Sequence, residues 1–335
     1  MSALDGLMAR GAAVLGARYG ILGGAMSWIS ERNLVAALSN AGAFGVIACG
    51  AMQPTRLDEE ITATKALAHA PFGVNLITMH PQLMELVDVC IGHKVPVLVF
   101  AGGIPPREAI LAAKAGGMKV ICFAPAVALA KKLVRMDVDA LVIEGSEAGG
   151  HIGPVSLNVL AQEILPVIRE VPVFVAGGIG RGEAMLAYLE MGAAGVQMGT
   201  RFACAAESIA HENFKKAFFR ASARDAVPTV QLDENFPVIP VRALKNEGSQ
   251  RFIRHQAETL ARFQSGELTK EAAQLDIEHF WAGALRRAVV EGDVQNGSLM
   301  AGQSVGMVTR EQPVAEIIAE IIAQAEAALA ARSGA

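Results

Sequence analysis

The sequence predicts an α/β protein: a TIM (β/α)8 barrel with a helical insertion between strand eight and the last helix. Three observations predict it. Short apolar runs rich in β-branched residues recur eight times along the first two hundred residues. Segments with helical periodicity and frequent Ala separate them. The runs are apolar at consecutive positions, as parallel strands covered on both faces require. Strands alternating with helices argue for a parallel sheet, and eight repeats argue for closure into a barrel. A doubly wound open sheet is the alternative, but it usually has fewer strands.

Taken in order, the strands are read at 20–23 (GILG), 44–49 (FGVIAC), 72–77 (FGVNLI), 95–100 (VPVLVF), 118–123 (MKVICF), 139–143 (DALVI), 171–176 (VPVFVA) and 194–198 (AGVQM). Helices fall between them at 30–41, 56–69, 81–93, 105–116, 125–136, 157–169 and 180–191. Pro81, Pro106 and Pro125 suit first-turn positions, where the missing N–H is not needed. After strand eight the rhythm breaks. Helices are expected at 207–221, 248–264, 268–274 and 277–290, with a Pro-broken stretch at 228–240. A closing helix at 313–330 carries Val314, Ile317, Ile318, Ile321, Ile322 and Leu329 on one stripe. The expected division is therefore a barrel of residues 1–204 plus 305–335 and a helical domain of 205–304. That domain would lie over the C-terminal ends of the strands, where barrel active sites lie.

Composition removes several function classes. With 52% hydrophobic and 19% charged residues among 335, the chain can bury a large core. A net charge of −4 and the lack of a basic patch with interleaved aromatics argue against a nucleic-acid partner. The apolar runs are strand-sized, well short of the roughly 18 residues of a membrane span, so no membrane role is expected. The N-terminus lacks the basic-then-apolar order of a signal peptide. Cys49, Cys90, Cys122 and Cys204 lie in or near apolar runs without C-x-x-C spacing, which fits free buried thiols in a reducing cytoplasm.

Residues suited to chemistry fall at strand ends. Gly23, Gly24, Ala25 and Met26 end the first strand, and Asn75 sits in the third. Strand six runs into Glu144 and the loop GSEAGGHIG at 145–153. Strand seven ends in Gly177 and Gly178, strand eight in Gly199, Thr200 and Arg201. A phosphate needs several converging backbone N–H groups, and glycine lets the chain approach it without an intervening Cβ. In barrels such sites follow strands seven and eight. Thr200 adds a hydroxyl donor. Tight turns alone are the other use of these glycines. His151 is the one histidine of seven in a glycine-rich loop at a strand end, where imidazole can donate a proton near neutral pH. A structural histidine capping the loop is the alternative. His69, His80, His93, His211, His255 and His279 are read as solvated. A metal site lacks a second His or Cys at ligand spacing, so none is expected.

These residues carry a resemblance. The chain resembles the FMN-dependent (type II) enoyl-acyl carrier protein reductases and the related nitronate monooxygenases, also called 2-nitropropane dioxygenases. The matching segments run through nearly the whole chain: GGAMSWIS (23–30), LSNAGAFGVI (38–47), PFGVN (71–75), PAVALAKKL (125–133), EGSEAGGHIG (144–153), VAGGIGRGE (175–183) and GVQMGTRF (195–202). They continue in ENFKKA (212–217), PVRALKN (240–246) and VVEGDVQNGSLMAGQSVG (289–306).

The resemblance implies FMN held non-covalently at the barrel mouth. By position, the backbone of Gly24, Ala25 and Met26 would lie against the isoalloxazine, and Asn75 would hydrogen-bond the flavin or its ribityl chain. Glu144 would reach the ribityl hydroxyls, and Gly149 and Gly150 would approach the cofactor. Gly177, Gly178, Gly199 and Thr200 would hold the phosphate. His151 matches the catalytic histidine, and Gln303 would enter from the segment before the last helix. Some quinone-reducing and nitronate-oxidising relatives carry a basic residue after strand five; here Cys122-Phe123-Ala124-Pro125 has none, which favours the enoyl-reductase branch. The implied activity is NAD(P)H-dependent reduction of enoyl thioesters, with nitronate oxidation by O2 as the alternative. NAD(P)H would act as a transient reductant, since no G-x-G-x-x-G follows a strand. The implied partners are a small-molecule or acyl-thioester substrate, an acyl carrier protein bearing it, and a second subunit in a homodimer. Eight aromatics of the insertion (Phe214, Phe218, Phe219, Phe236, Phe252, Phe263, Phe280 and Trp281) either line an acyl groove or form its own core.

Overall fold

All eight expected barrel strands are present in the computed structural model, which describes residues 2–50, 52–233, 236 and 238–333. They are β1 (Ile21–Gly23), β2 (Val46–Ala48), β3 (Gly73–Ile77), β4 (Val97–Ala101), β5 (Lys119–Phe123) and β6 (Ala140–Glu144). A two-residue strand off the barrel, β7 (Gly150–His151), precedes β8 (Val173–Ala176) and β9 (Gly195–Met198). The sheet order is β1-β9-β8-β6-β5-β4-β3-β2, with every pairing parallel. The two ends meet at Leu22 and Phe44, where Gly23 N–H donates to Phe44 O (2.9 Å) and Phe44 N–H to Ile21 O (2.8 Å). That seam closes the barrel and excludes the open sheet.

Alternation along the strands divides the apolar residues. Leu22, Val46, Val97, Val99, Ile121, Val142 and Phe174 fill the barrel, while Leu98, Phe100, Val120 and Leu141 pack outward under the helices. The floor is sealed by α1 (Ala3–Leu15), whose Val14 and Leu15 join the interior. The sequence reading does not include α1, although Ser2 and Asp5 form a capping box at its start. Lys119 Nζ donates to the carbonyls of Ala13 and Val14 (2.9 Å each), anchoring its C-terminal end.

The ring of helices follows the expected order: α2 (Arg32–Asn40), α3 (Pro54–Leu67), α4 (Leu83–Gly92), α5 (Arg107–Ala115), α6 (Val127–Arg135), α7 (Leu157–Ile164) and α8 (Gly182–Glu190). The expected prolines sit slightly earlier than first-turn positions: Pro106 is the N-cap of α5, and Pro81 and Pro125 precede the N-caps Gln82 and Ala126. Their fixed φ suits extended entry to a helix as well as its first turn.

The insertion is not purely helical. After α9 (Thr200–Ala203) and α10 (Glu212–Arg220), β10 (Ala226–Pro228) pairs antiparallel with β11 (Val241–Leu244), and β11 pairs antiparallel with β7. Then come α11 (Glu247–Gln264) and α12 (Lys270–Val289); α12 is one helix where two were expected. The closing helix, α13 (Val314–Ser333), packs between α8 and α2. It buries Val314, Ile317, Ile318, Ile321 and Ile322. A Cβ at Gly182 would lie 2.0 Å from Ile321 O, so this helix contact needs glycine. Phe214 and Phe218 of α10 belong to the outer barrel core, whereas Phe236, Phe252, Ile277 and Trp281 form a separate apolar core. No helix among the described residues is long and apolar enough to cross a membrane.

Candidate active site at the barrel mouth

The loop after β1 is shaped by one buried hydroxyl. Ser30 Oγ donates to Gly24 O (2.9 Å) and accepts from Met26 N–H (2.9 Å), fixing the backbone of Gly24, Ala25 and Met26. Gly24 N–H donates to Met198 O (2.9 Å), so the loops after β1 and β9 lie side by side. A Cβ on Gly24 would stand 3.6 Å from Gly199 Cα, and one on Gly199 would stand 3.4 Å from Met26 Sδ. Asn75, 6% exposed, donates through Nδ2 to Val99 O (3.0 Å), a bond that does not engage its Oδ1. Trp28, absent from the sequence-expected site, is exposed at a left-handed φ of 69°. Its ring lies 5.7 Å from the Arg286 guanidinium, linking this loop to α12.

Glu144 ends β6 and keeps some accessible surface at the mouth. Protein atoms crowd its carboxyl, and burial alone pushes its pKa up to about 8. The loop beyond it is tied down on three sides. Gly177 (φ 101°) and Gly178 (φ 70°) pass so close that Cβ atoms there would meet Gly145 O at 3.0 Å and Glu147 Cβ at 3.1 Å. Gly149 packs on the segment before α13, where a Cβ would meet Gly302 N at 2.5 Å. Gln303 N–H donates to Glu147 O (2.9 Å), and Gly302 N–H donates to Thr200 Oγ1 (3.0 Å). Thr200 therefore accepts one bond and keeps its own proton to donate. These contacts bring the glycines after β8 and β9, the β6 loop and Gln303 together as the sequence analysis expects.

Gly150 and His151 form β7, not a free loop. His151 is exposed and stands in register with Val241 of β11. Arg242 holds this arrangement and was not singled out from sequence. Only 7% exposed, it donates through Nε to Ser146 O (2.8 Å) and through Nη1 to Ala226 O (2.6 Å). All four cysteines are free and buried, and burial raises the thiols of Cys49 and Cys122 to about 12. Among the other histidines, His93 Nε2 pairs with Asp58 (2.7 Å), while His255 pairs with Asp276 (3.1 Å) and stacks on Phe280. Both are half-buried and paired with a carboxylate, so neither is simply solvated as expected. Of the eight insertion aromatics, Phe214, Phe218 and Phe219 pack in or against the outer barrel core, and the other five in or against the insertion core.

These loops set glycine-lined backbone and the crowded acid Glu144 at the C-terminal mouth of a (β/α)8 barrel, where the active sites of barrel enzymes lie. A nitronate monooxygenase family model matches residues 10–90 and 84–324. The chain is 30% identical over 333 residues to the (3aS,4S,5R,7aS)-5-hydroxy-7a-methyl-1-oxo-octahydro-1H-indene-4-carboxyl-CoA dehydrogenase of Rhodococcus jostii, covering 93% of this chain and 94% of that protein. It is 29% identical over 350 residues to a probable nitronate monooxygenase of Staphylococcus saprophyticus, covering 90% and 93%. The structure of FabK from Thermotoga maritima superposes with a TM-score of 0.86 and 36% identity, covering 97% of this chain and 98% of that one. The chain belongs to the nitronate monooxygenase family, whose members are flavin-dependent oxidoreductases.

Proposed function

We propose that this chain is an FMN-dependent oxidoreductase that reduces enoyl thioesters with NAD(P)H. The carrying observation is the likeness to FabK, an enoyl-acyl carrier protein reductase, along 97% of the chain. The similarity to a dehydrogenase of a CoA thioester supports the same substrate class. So does the uncharged stretch at the end of β5 and just beyond it, where Cys122 and Ala124 are buried. The family match itself favours the second reading, oxidation of alkyl nitronates by O2.

The residues present fit a flavin with one phosphate. Two glycines at left-handed φ and the facing pair Gly24 and Gly199 form a cradle that side chains would fill. Gly177, Gly178, Gly199 and Thr200 would hold the phosphate, and Glu144, largely protonated at neutral pH, would donate to a ribityl hydroxyl. Asn75 Oδ1 would accept from the ring system or ribityl chain, and Gln303 would close the site from the side of α13. FMN, when bound, supplies hydride transfer between reduced nicotinamide and the β-carbon of the acceptor. His151, accessible on β7, would orient the thioester and protonate the developing enolate, a general-acid contribution of about 10²–10⁴-fold. The insertion would exclude water from that step.

The test is stopped-flow reduction of the purified yellow protein. Bleaching by NADH or NADPH, followed by reoxidation with an enoyl thioester, is the expected result. Reduction by an alkyl nitronate but by neither nicotinamide would establish the second reading instead. His151→Ala should retain the flavin and lose turnover; a colourless variant would make the histidine structural.

A further inference from the structure

Trp28 stands in the loop after β1 at a backbone conformation that suits a different residue. Ile29 N–H donates to Met26 O (3.0 Å), which closes a turn with Trp28 in its third position at φ 69°. Turns with a positive φ at that position ordinarily carry Gly or Asn there, because a Cβ crowds the backbone. A bulky aromatic in this region is an outlier. Burial does not compensate, since the side chain is 42% exposed. Neither the turn nor the core accounts for a tryptophan here.

Its contact does. Arg286, in the last turn of α12, places its guanidinium 5.7 Å from the centroid of the Trp28 ring. That cation is held from two other sides as well. Its Nη1 pairs with Glu291 Oε1, and the carbonyl end of the helix attracts positive charge. The end of α12 is in turn pinned to α10: His211 N–H donates to Val289 O (2.8 Å), and Asn213 Nδ2 donates to Gly292 O (3.2 Å). Arg286 is thus a fixed point of the insertion beside the mouth, and the indole meets it from the barrel side. Strained residues persist where surrounding contacts hold them, and they concentrate at ligand clamps and switches. Gly24, Ala25 and Met26, the backbone that borders the mouth, belong to the same loop as Trp28.

We propose that Trp28 is a positioning residue: gripped by Arg286, it clasps the loop after β1 to the insertion and so retains the flavin in the mouth. The inference rests on the flavin reading and is independent of which acceptor is reduced. An exposed cation–π contact shifts an equilibrium by about two- to fivefold, which sets the size of the effect.

Trp28→Gly gives the turn the residue its φ favours and removes the clasp. It should keep the parent's thermal midpoint in the cofactor-free protein while releasing FMN about two- to fivefold faster. Arg286→Gln should release FMN equally fast, and the double variant should be no faster than either single one, as a shared contact requires. Arg286→Lys keeps a cation and should fall between the parent and Arg286→Gln. A second readout needs no flavin. The chain has two tryptophans, so in a Trp281→Phe background Arg286→Gln should raise the quenching of Trp28 fluorescence by acrylamide. Parent-like release in both single variants, additive effects in the double variant, or a lowered midpoint in Trp28→Gly would overturn the clasp. A colourless parent would refute the proposed cofactor instead, and unchanged quenching there would overturn the contact too.

Discussion

Glu144 is an acid kept protonated by its surroundings, which has a consequence for pH. Its pKa stands near 8 in the folded chain against 4.5 for an ordinary glutamate, so between those values the folded state holds a proton that the unfolded state has lost. The associated stability is fully present below pH 4.5 and disappears as pH climbs through 8. Glu144→Gln should remove this decline from the cofactor-free protein, which urea unfolding midpoints measured from pH 5 to 9 would show. An unchanged slope would place the proton on another group. At this scale the sequence reveals much, because Glu144 and His151 are marked by the glycines around them. Arg242 carries no such mark. Its meaning comes from Ser146, 96 residues away along the chain, a distance that no local pattern spans.

Among the elements, repetition decides what can be read in advance. Strands of the barrel are short, but each is apolar on both faces and repeats with its helix, so the rhythm shows. By contrast β7, β10 and β11 have two to four residues and no repeat; β7 is hidden in a glycine-rich loop, and β10 and β11 border a Pro-broken stretch. The sheet they make is held by Arg242, whose two side-chain bonds join the β6–β7 loop to β10. Arg242→Met keeps the aliphatic stem and removes both donors. A charge-assisted hydrogen bond contributes about 1.5–3 kcal/mol, so the variant should lose roughly 2–4 kcal/mol of stability. It should also release its flavin more readily, as measured by ultrafiltration. Arg242→Lys has a single donor centre and should recover only part. If the methionine variant matched the parent in both assays, the loop would be held by other contacts.

Apolar cores lie in both parts of the molecule, the barrel and the insertion. Phe44 closes the barrel seam, and Phe252 packs on Trp281 with ring centroids 4.1 Å apart in the insertion. Truncating a buried Phe to Ala costs about 3–5 kcal/mol in either place, but the two losses should differ in kind. Phe44→Ala should loosen the flavin and lower the main thermal transition. Phe252→Ala should uncouple an earlier transition, seen in tryptophan fluorescence, from flavin release, with catalysis lost before colour. Coincident transitions in both variants would mean that the cores melt as one cooperative unit.

The pairing of His151 with Val241 reaches beyond this chain. The histidine belongs by sequence to the barrel, yet the strand beside it belongs to the inserted segment. A lineage that exchanges its insertion to take up a new acceptor also replaces the ledge on which the imidazole rests. Selectivity and proton delivery are then inherited together, and a laboratory chimera that grafts only the outer helices will keep its chemistry only if the graft junctions spare residues 226–244.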